Sequence, residues 1–362
     1  MNFLNKKTFI IAEAGVNHNG SLWLAKQLVD AAALAGVDAI KFQTFHADEL
    51  VCVTAPKAAY QTKTTATDES QYDMLKALEL TENDQIDLQA YCKKQNILFL
   101  SSPFDIKSVN FLYHQLQVPI FKIPSGEITH FPLLLHLAQT NQPVILSTGM
   151  STLGEIENAL AVLAYGYLQL ANKIPVSLQA CNEAYFSEAG QAILKDKVAL
   201  LHCTTEYPAP FAEANLHVMN TLHQAFNLPI GYSDHTLGLA VSIAAVALGA
   251  CIIEKHFTLD KTMPGPDHQA SIEPDQLILL VQNIRQVELA LGKNKKLPTP
   301  SELKNRLIAR KSMVAANKIV QGDILNSQNI ICKRPASGLS PTHFWEKMNK
   351  PAERDYEKDE FI

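Results

Sequence analysis

The chain has 362 residues, 47% hydrophobic and 19% charged, with a formal net charge of −5, an ordinary globular composition with room for one large barrel of roughly 250 residues and a smaller unit. No basic patch argues for nucleic acid and no acidic tail is present. The longest apolar run, Leu237 to Ile253, is broken by Gly238, Ser242 and Gly249, short of the roughly 18 uninterrupted residues of a membrane span.

In chain order, the first run, FIIAEAG (9–15), follows lysines but meets Glu13 at once, which argues against a signal peptide. NHNG then supplies His18 and Asn19 as turn and cap residues before a helix over 21–35. AIKFQT (39–44) carries Lys41 and Gln43, and a helix over 81–95 leads to ILFLSSPF (97–104), with Ser101 and Ser102. A helix over 105–116 precedes IFKIPSGE (120–127), which ends on Lys122, Ser125 and Glu127. One over 131–140 precedes PVILSTG (143–149), with Ser147 and Thr148.

The helix over 152–166 runs into an overlong connection, 167–197, read as an insertion with its own helix. VALLHCT (198–204) follows, then a helix over 215–226 and PIGYSDH (229–235), ending on Ser233, Asp234 and His235. A helix over 237–248, ACIIEKHFT (250–258) with Glu254, Lys255 and His256, and a helix over 274–291 complete the series. Gly36 and Gly249 stand where helices must stop before a strand. After Gly292, KNKKLPTPSELKNR reads as a linker over 293–309, and 310–362 as a small strand-rich domain.

Short strand-like runs alternating with helices signal parallel β/α units, and eight units imply a closed (β/α)8 TIM barrel over residues 1–292. Active sites of such barrels lie at the C-terminal ends of the strands, where all eight runs here carry polar groups. Six cysteines, Cys52, Cys92, Cys181, Cys203, Cys251 and Cys332, lie far apart without a CxxC pair. Reduced thiols and a cytoplasmic location are the expectation.

Chemistry is read from what the mouth brings together. His235 and His256 end adjacent strands and can share a divalent metal, or stand as two polar loop histidines. Lys41, Lys122, Ser125, Ser147 and Ser233 supply cations and hydroxyls suited to a phosphate. Glu13 and Glu127 each suit a general base or acid, the alternative being an ion pair with Lys41 or Lys122. MPGPDH (263–268) holds Asp267 on a proline-stiffened loop, with a solvent-facing turn as the alternative. His202 reads as a buried, hydrogen-bonded core histidine. Glu254, Lys255 and His268 receive no role.

In this order, IAEAGVNHNG, IKFQT, FKIPSGE, LSTGM, LLHCT with YPAP, GYSDHT, IEKHFTLD and PGPD resemble the sialic acid (nonulosonate) synthases over nearly the whole chain. The resemblance implies a metal-dependent condensation of phosphoenolpyruvate with an N-acetylated hexosamine. It implies that Lys41, Lys122, Ser125, Ser147 and Ser233 bind phosphoenolpyruvate and that His235 and His256 bind Mn²⁺, with Mg²⁺ or Co²⁺ as alternatives. Glu13 matches the catalytic carboxylate, and Gln43, Ser102, Glu127, Tyr207 and Asp267 match positions around the reacting sugar.

The tail, RKSMVAANKIVQGDIL with KRPASG, resembles the family's antifreeze-like SAF domain, which implies a domain-swapped homodimer with Arg334 contacting the N-acetyl group of the neighbouring subunit's substrate. Thr205 stands where N-acetylneuraminate synthases often carry Asn. With AYQTKTTATDESQ (59–71), it looks more like the synthases of N,N'-diacetyllegionaminate, which use 2,4-diacetamido-2,4,6-trideoxymannose. N-acetylneuraminate synthesis from N-acetylmannosamine is the alternative, followed by a metal-dependent sugar-phosphate aldolase or epimerase. A non-catalytic sugar-binding protein is weaker, and a redox role weaker still, because no GxGxxG follows the first strand.

Overall fold

A computed structural model of the chain describes residues 7–58, 61–64, 70–169 and 174–362, so the AYQTKTTATDESQ segment and the 167–197 insertion lie partly outside the described residues. The chain forms two compact units, Met1–Gly292 and Lys293–Ile362.

In the first unit, β1 (Phe9–Gly15), β2 (Ala39–Thr44), β3 (Leu98–Pro103), β4 (Phe121–Ile123), β5 (Val144–Ser147), β6 (Val198–His202), β7 (Ile230–Asp234) and β8 (Ile252–His256) form one parallel sheet. Its order, β3-β2-β1-β8-β7-β6-β5-β4, brings first and last strands together. β3 and β4 meet by contact without a ladder among the described residues. This is the expected (β/α)8 barrel.

Alternation along each strand divides the chain between two interiors. Ile11, Ala39, Leu100, Ile120, Ile145, Leu201 and Ile252 point inward and plug the barrel with an apolar layer. The intervening Ile10, Ile40, Phe121, Leu146, Leu200 and Ile253 belong to the larger core under the helices. Two residues beyond the plug, the same inward rows reach Glu13, Lys41, Ser102, Lys122, Ser147 and Glu254. The site is thus the next layer of the barrel interior.

The helices start and stop on local signals. Ser21 caps Leu22–Ala35 by accepting from the Leu24 N–H, and Gly36 ends it at φ 75°, a left-handed conformation that costs glycine little. Thr81 and Asp84 form a capping box for Glu82–Lys94. The helix expected over 105–116 is Ile106–Asn110 continued by a π-helical turn, Phe111–Gln115. Among its described residues the insertion carries two helices, Leu178–Phe186 and Glu188–Lys197, where one was expected. The β2 loop, left without helices in the sequence reading, holds Ala47–Leu50, Gln61–Thr64 and Gln71–Leu78.

The second unit pairs β9 (Ser312–Ala315) with β10 (Ile330–Lys333) antiparallel over a core of Met313, Ala315, Ile319, Leu325, Ile330, Ala352 and Tyr356. The expected linker is not unstructured: Pro300–Ala309 is a helix with a Thr299–Glu302 capping box and Pro at its first position. The TPSE sequence carries that signal. All six cysteines are free thiols. Among the described residues, no helix is long and apolar enough to cross a membrane.

Candidate active site

The inward rows open into a cavity of about 290 Å³, which Glu13, Lys41, Gln43, Ser102, Lys122, Ser125, Glu127, Ser147, Tyr207, Ser233, His235, His256 and Asp267 all line. Every barrel residue that the family resemblance assigns to substrate, metal or catalysis therefore meets the same space. Arg334 belongs to the second unit, exposed on the segment after β10 and before a cis proline, Pro335.

Register sets the centre. Glu13 pairs in register with Lys41 on one side and His256 on the other. Its Oε2 lies 2.5 Å from Lys41 Nζ in a buried ion pair. Burial pushes the Glu13 carboxyl up to about 7 against the pull of Lys41. Lys41 also donates to Ser102 Oγ at 3.3 Å. Burial disfavours its ammonium form, but Glu13 and Glu254 hold it above the usual lysine value.

Glu254, given no role from the sequence, sits between both lysines. Its Oε1 accepts from Ser233 Oγ at 2.9 Å and lies 3.3 Å from Lys122 Nζ, while Oε2 lies 3.8 Å from Lys41 Nζ. Burial works to raise its pKa, but Lys122 and Lys41 together hold it below the ordinary range. Lys122 is pushed down by burial. Ser147 Oγ is buried with no hydrogen-bond partner, and Ser125 Oγ accepts from the Gly149 N–H at 3.0 Å. A buried hydroxyl without a partner is costly; beside two ammoniums it suits an anionic ligand.

At the other edge, His235 Nδ1 donates to the Thr204 carbonyl at 2.6 Å. That bond fixes the tautomer and leaves Nε2 with a lone pair. Burial lowers His235 to about 4 and His256 well below its usual value, so both rings are neutral. Their centroids are 5.3 Å apart, with Tyr207 packed 4.3 Å from His235 and 5.2 Å from His256. Asp267 Oδ2 lies 3.7 Å from His256 Nδ1, which has no hydrogen-bond partner, and burial raises Asp267 to about 6.

Among the described residues no cluster of three or more His, Cys, Asp or Glu forms a closed metal cage. His235 and His256, two neutral imidazoles lining one cavity, can give a divalent ion two nitrogen ligands, its remaining positions left to substrate oxygens or water. Glu127 is tied to His130 Nδ1 at 2.7 Å.

The other sequence residues fall outside the chemistry. His202 is buried and donates from Nε2 to the Ala214 carbonyl at 2.9 Å, as expected of a core histidine. Lys255 points away from the cavity into a fully buried ion pair with Asp234 at 3.0 Å. His268 holds the loop, with Nδ1 2.7 Å from Thr258 Oγ1 and Nε2 3.2 Å from Asn19 Oδ1. Asn19 also donates to the Pro264 carbonyl at 3.0 Å. The NHNG and MPGPDH loops are thereby fastened together over the site.

The sequence profile of the NeuB family matches residues 28–296. The chain is 50% identical over 357 residues, 99% of each chain, to the N,N'-diacetyllegionaminic acid synthase of Campylobacter jejuni subsp. jejuni serotype O:2. It is 45% identical, over 92% of this chain and 87% of the other, to the protein of that name from Legionella pneumophila subsp. pneumophila. The crystal structure of an N-acetylneuraminic acid (sialic acid) synthetase from Leptospira borgpetersenii serovar Hardjo-bovis aligns with a TM-score of 0.66 and 34% identity, covering 83% of this chain and 90% of that one.

Proposed function

The chain belongs to the NeuB family, and from that premise we propose that it is a nonulosonic acid synthase, condensing phosphoenolpyruvate with an open-chain N-acetylated mannosamine-type sugar and releasing phosphate. The observation that carries this reading is one cavity in which two buried lysines and the unpartnered Ser147 hydroxyl face two neutral imidazoles. The sugar we propose is 2,4-diacetamido-2,4,6-trideoxymannose, giving N,N'-diacetyllegionaminate. Identity of 50% and 45% to two proteins named as synthases of that product supports it.

In this reading Lys41, Lys122, Ser125, Ser147 and Ser233 grip the phosphate and carboxylate of phosphoenolpyruvate. His235 and His256 hold a divalent ion, Mn²⁺ for preference and Mg²⁺ or Co²⁺ as substitutes, which when bound polarises the sugar aldehyde. Gln43, Ser102, Glu127, Tyr207 and Asp267 hold the sugar so that its C1 faces C3 of phosphoenolpyruvate, a gain in proximity. The C3–C1 bond forms as the aldehyde oxygen takes up a proton to become a hydroxyl, water adds at the C2 cation, and the bond from C2 to the bridging oxygen breaks, so that phosphate leaves with that oxygen and C2 becomes a ketone. Glu13, raised to about 7, takes the proton of that water, because a base poised near neutrality both accepts and returns it.

The second unit we read as an antifreeze-like SAF domain, and the active form as a domain-swapped cytoplasmic homodimer in which Arg334 reaches the N-acetyl group of the partner's substrate. These assignments rest on sequence resemblance. The deciding experiment offers purified protein, Mn²⁺ and phosphoenolpyruvate both sugars in parallel and follows phosphate release. Faster turnover of the 2,4-diacetamido sugar is expected; a strong preference for N-acetylmannosamine overturns the choice of sugar.

A further inference from the structure

The cavity has a second face that the chemistry above does not use. Val16, Leu50, Met74, Leu75, Leu78 and Phe104 line it and form an apolar cluster of their own with Phe45, in which Leu50, Leu75 and Phe104 are only half-buried. These residues come from the loops after β1, β2 and β3, whereas four of the five residues assigned to phosphoenolpyruvate, Lys122, Ser125, Ser147 and Ser233, come from β4, the turn after it, β5 and β7; the fifth, Lys41, lies on β2.

The wall is held in place. Ala47 N–H donates to Glu79 Oε1 at 2.6 Å, Tyr72 OH to Asp48 at 2.6 Å, and Lys76 Nζ lies 3.3 Å from Asp48. Gly20 lets the Gln71–Leu78 helix approach: a Cβ there would lie 2.5 Å from the Ala77 carbonyl oxygen. Gln61 and Gln71 border the wall, and Gln61 Oε1 already accepts from the Ala58 N–H at 2.9 Å.

We infer that this wall is the subsite for the C6 methyl of a 6-deoxy sugar and that it selects such acceptors over their 6-hydroxy counterparts. The inference rests on the condensation reading above. In that reaction C1 of the sugar must meet phosphoenolpyruvate near the lysines and imidazoles, so the far end of the carbon chain extends away from the phosphate side, toward the wall. A methyl group there covers half-buried leucines. A hydroxymethyl group would place its hydroxyl against the leucine, methionine and phenylalanine side chains of the wall, which offer no hydrogen bond, with Gln61 and Gln71 only at its border.

The test measures kcat/KM from phosphate release for 2,4-diacetamido-2,4,6-trideoxymannose and its 6-hydroxy counterpart, at saturating phosphoenolpyruvate and Mn²⁺. Wild type is expected to favour the 6-deoxy sugar by about 10- to 100-fold, the range in which apolar pockets discriminate. Leu75→Gln and Leu50→Gln, on different helices and both half-buried, should each bring that ratio down toward one, with thermal melts confirming that they fold. A wild-type ratio near one, or an unchanged ratio in both folded variants, overturns the inference while leaving the condensation reading intact. Absence of phosphate release with either sugar refutes the condensation itself, and this inference with it.

Discussion

Individual side chains here do what their neighbours permit. Lys122 is buried, destabilised as an ammonium and 3.3 Å from Glu254, so an arriving phosphate would meet a cation that water does not screen. Lys122→Met is expected to lower kcat/KM for phosphoenolpyruvate by about 10- to 100-fold, the worth of a charged hydrogen bond; initial rates at varied phosphoenolpyruvate check it. His18 shows a residue read correctly by place and incompletely by physics. Its Nδ1 accepts from the Gly20 N–H at 3.0 Å, a bond that requires a neutral ring. Burial accordingly lowers its pKa from 6.5 to about 4.

At the scale of one strand, the EKH ending of β8 separates by alternation. Glu254 and His256 face the cavity, and Lys255 faces the helices, where it pairs with Asp234 and donates to the Thr236 carbonyl. Asp234 further accepts from Thr236 N at 2.9 Å, Thr236 Oγ1 at 2.7 Å and Ser242 Oγ at 2.6 Å. Lys255→Met leaves that carboxylate buried without its cation and should cost about 3–5 kcal/mol of stability in urea unfolding. Adding Asp234→Asn, which removes the stranded charge, should recover much of the loss. A sequence shows three ionisable residues in a row; it does not show that only two share a compartment.

Across the whole molecule, buried imidazoles and buried carboxylates pull the pH dependence of stability in opposite directions. For His18 the unfolded pKa, 6.5, exceeds the folded one, about 4, so between these values the unfolded chain binds a proton that the fold refuses. Its contribution is therefore lost as pH falls below 6.5, by about 1.4 kcal/mol per pH unit. Glu13 and Asp267, raised to about 7 and about 6, bind protons more tightly in the fold and act the other way. Comparing wild type with His18→Asn isolates the first effect, since Asn can still accept from the Gly20 N–H. Wild type should lose stability relative to the variant between pH 6.5 and 4, with a constant difference above, measured by urea unfolding across pH.

The sequence by itself determined the barrel, its eight strands and the residues that end them, because the period of two and the turn signals are local and hydrophobic burial enforces them. It also carried the ordered motifs of the family. Only the tertiary structure decided that Glu254 lies between Lys41 and Lys122, that Lys255 finds its counter-ion in Asp234 of the neighbouring strand, and that the β2 loop builds an apolar wall on the cavity. Those outcomes depend on strand register and on packing between segments distant in the chain, such as Gly20 against Ala77, which no local pattern encodes.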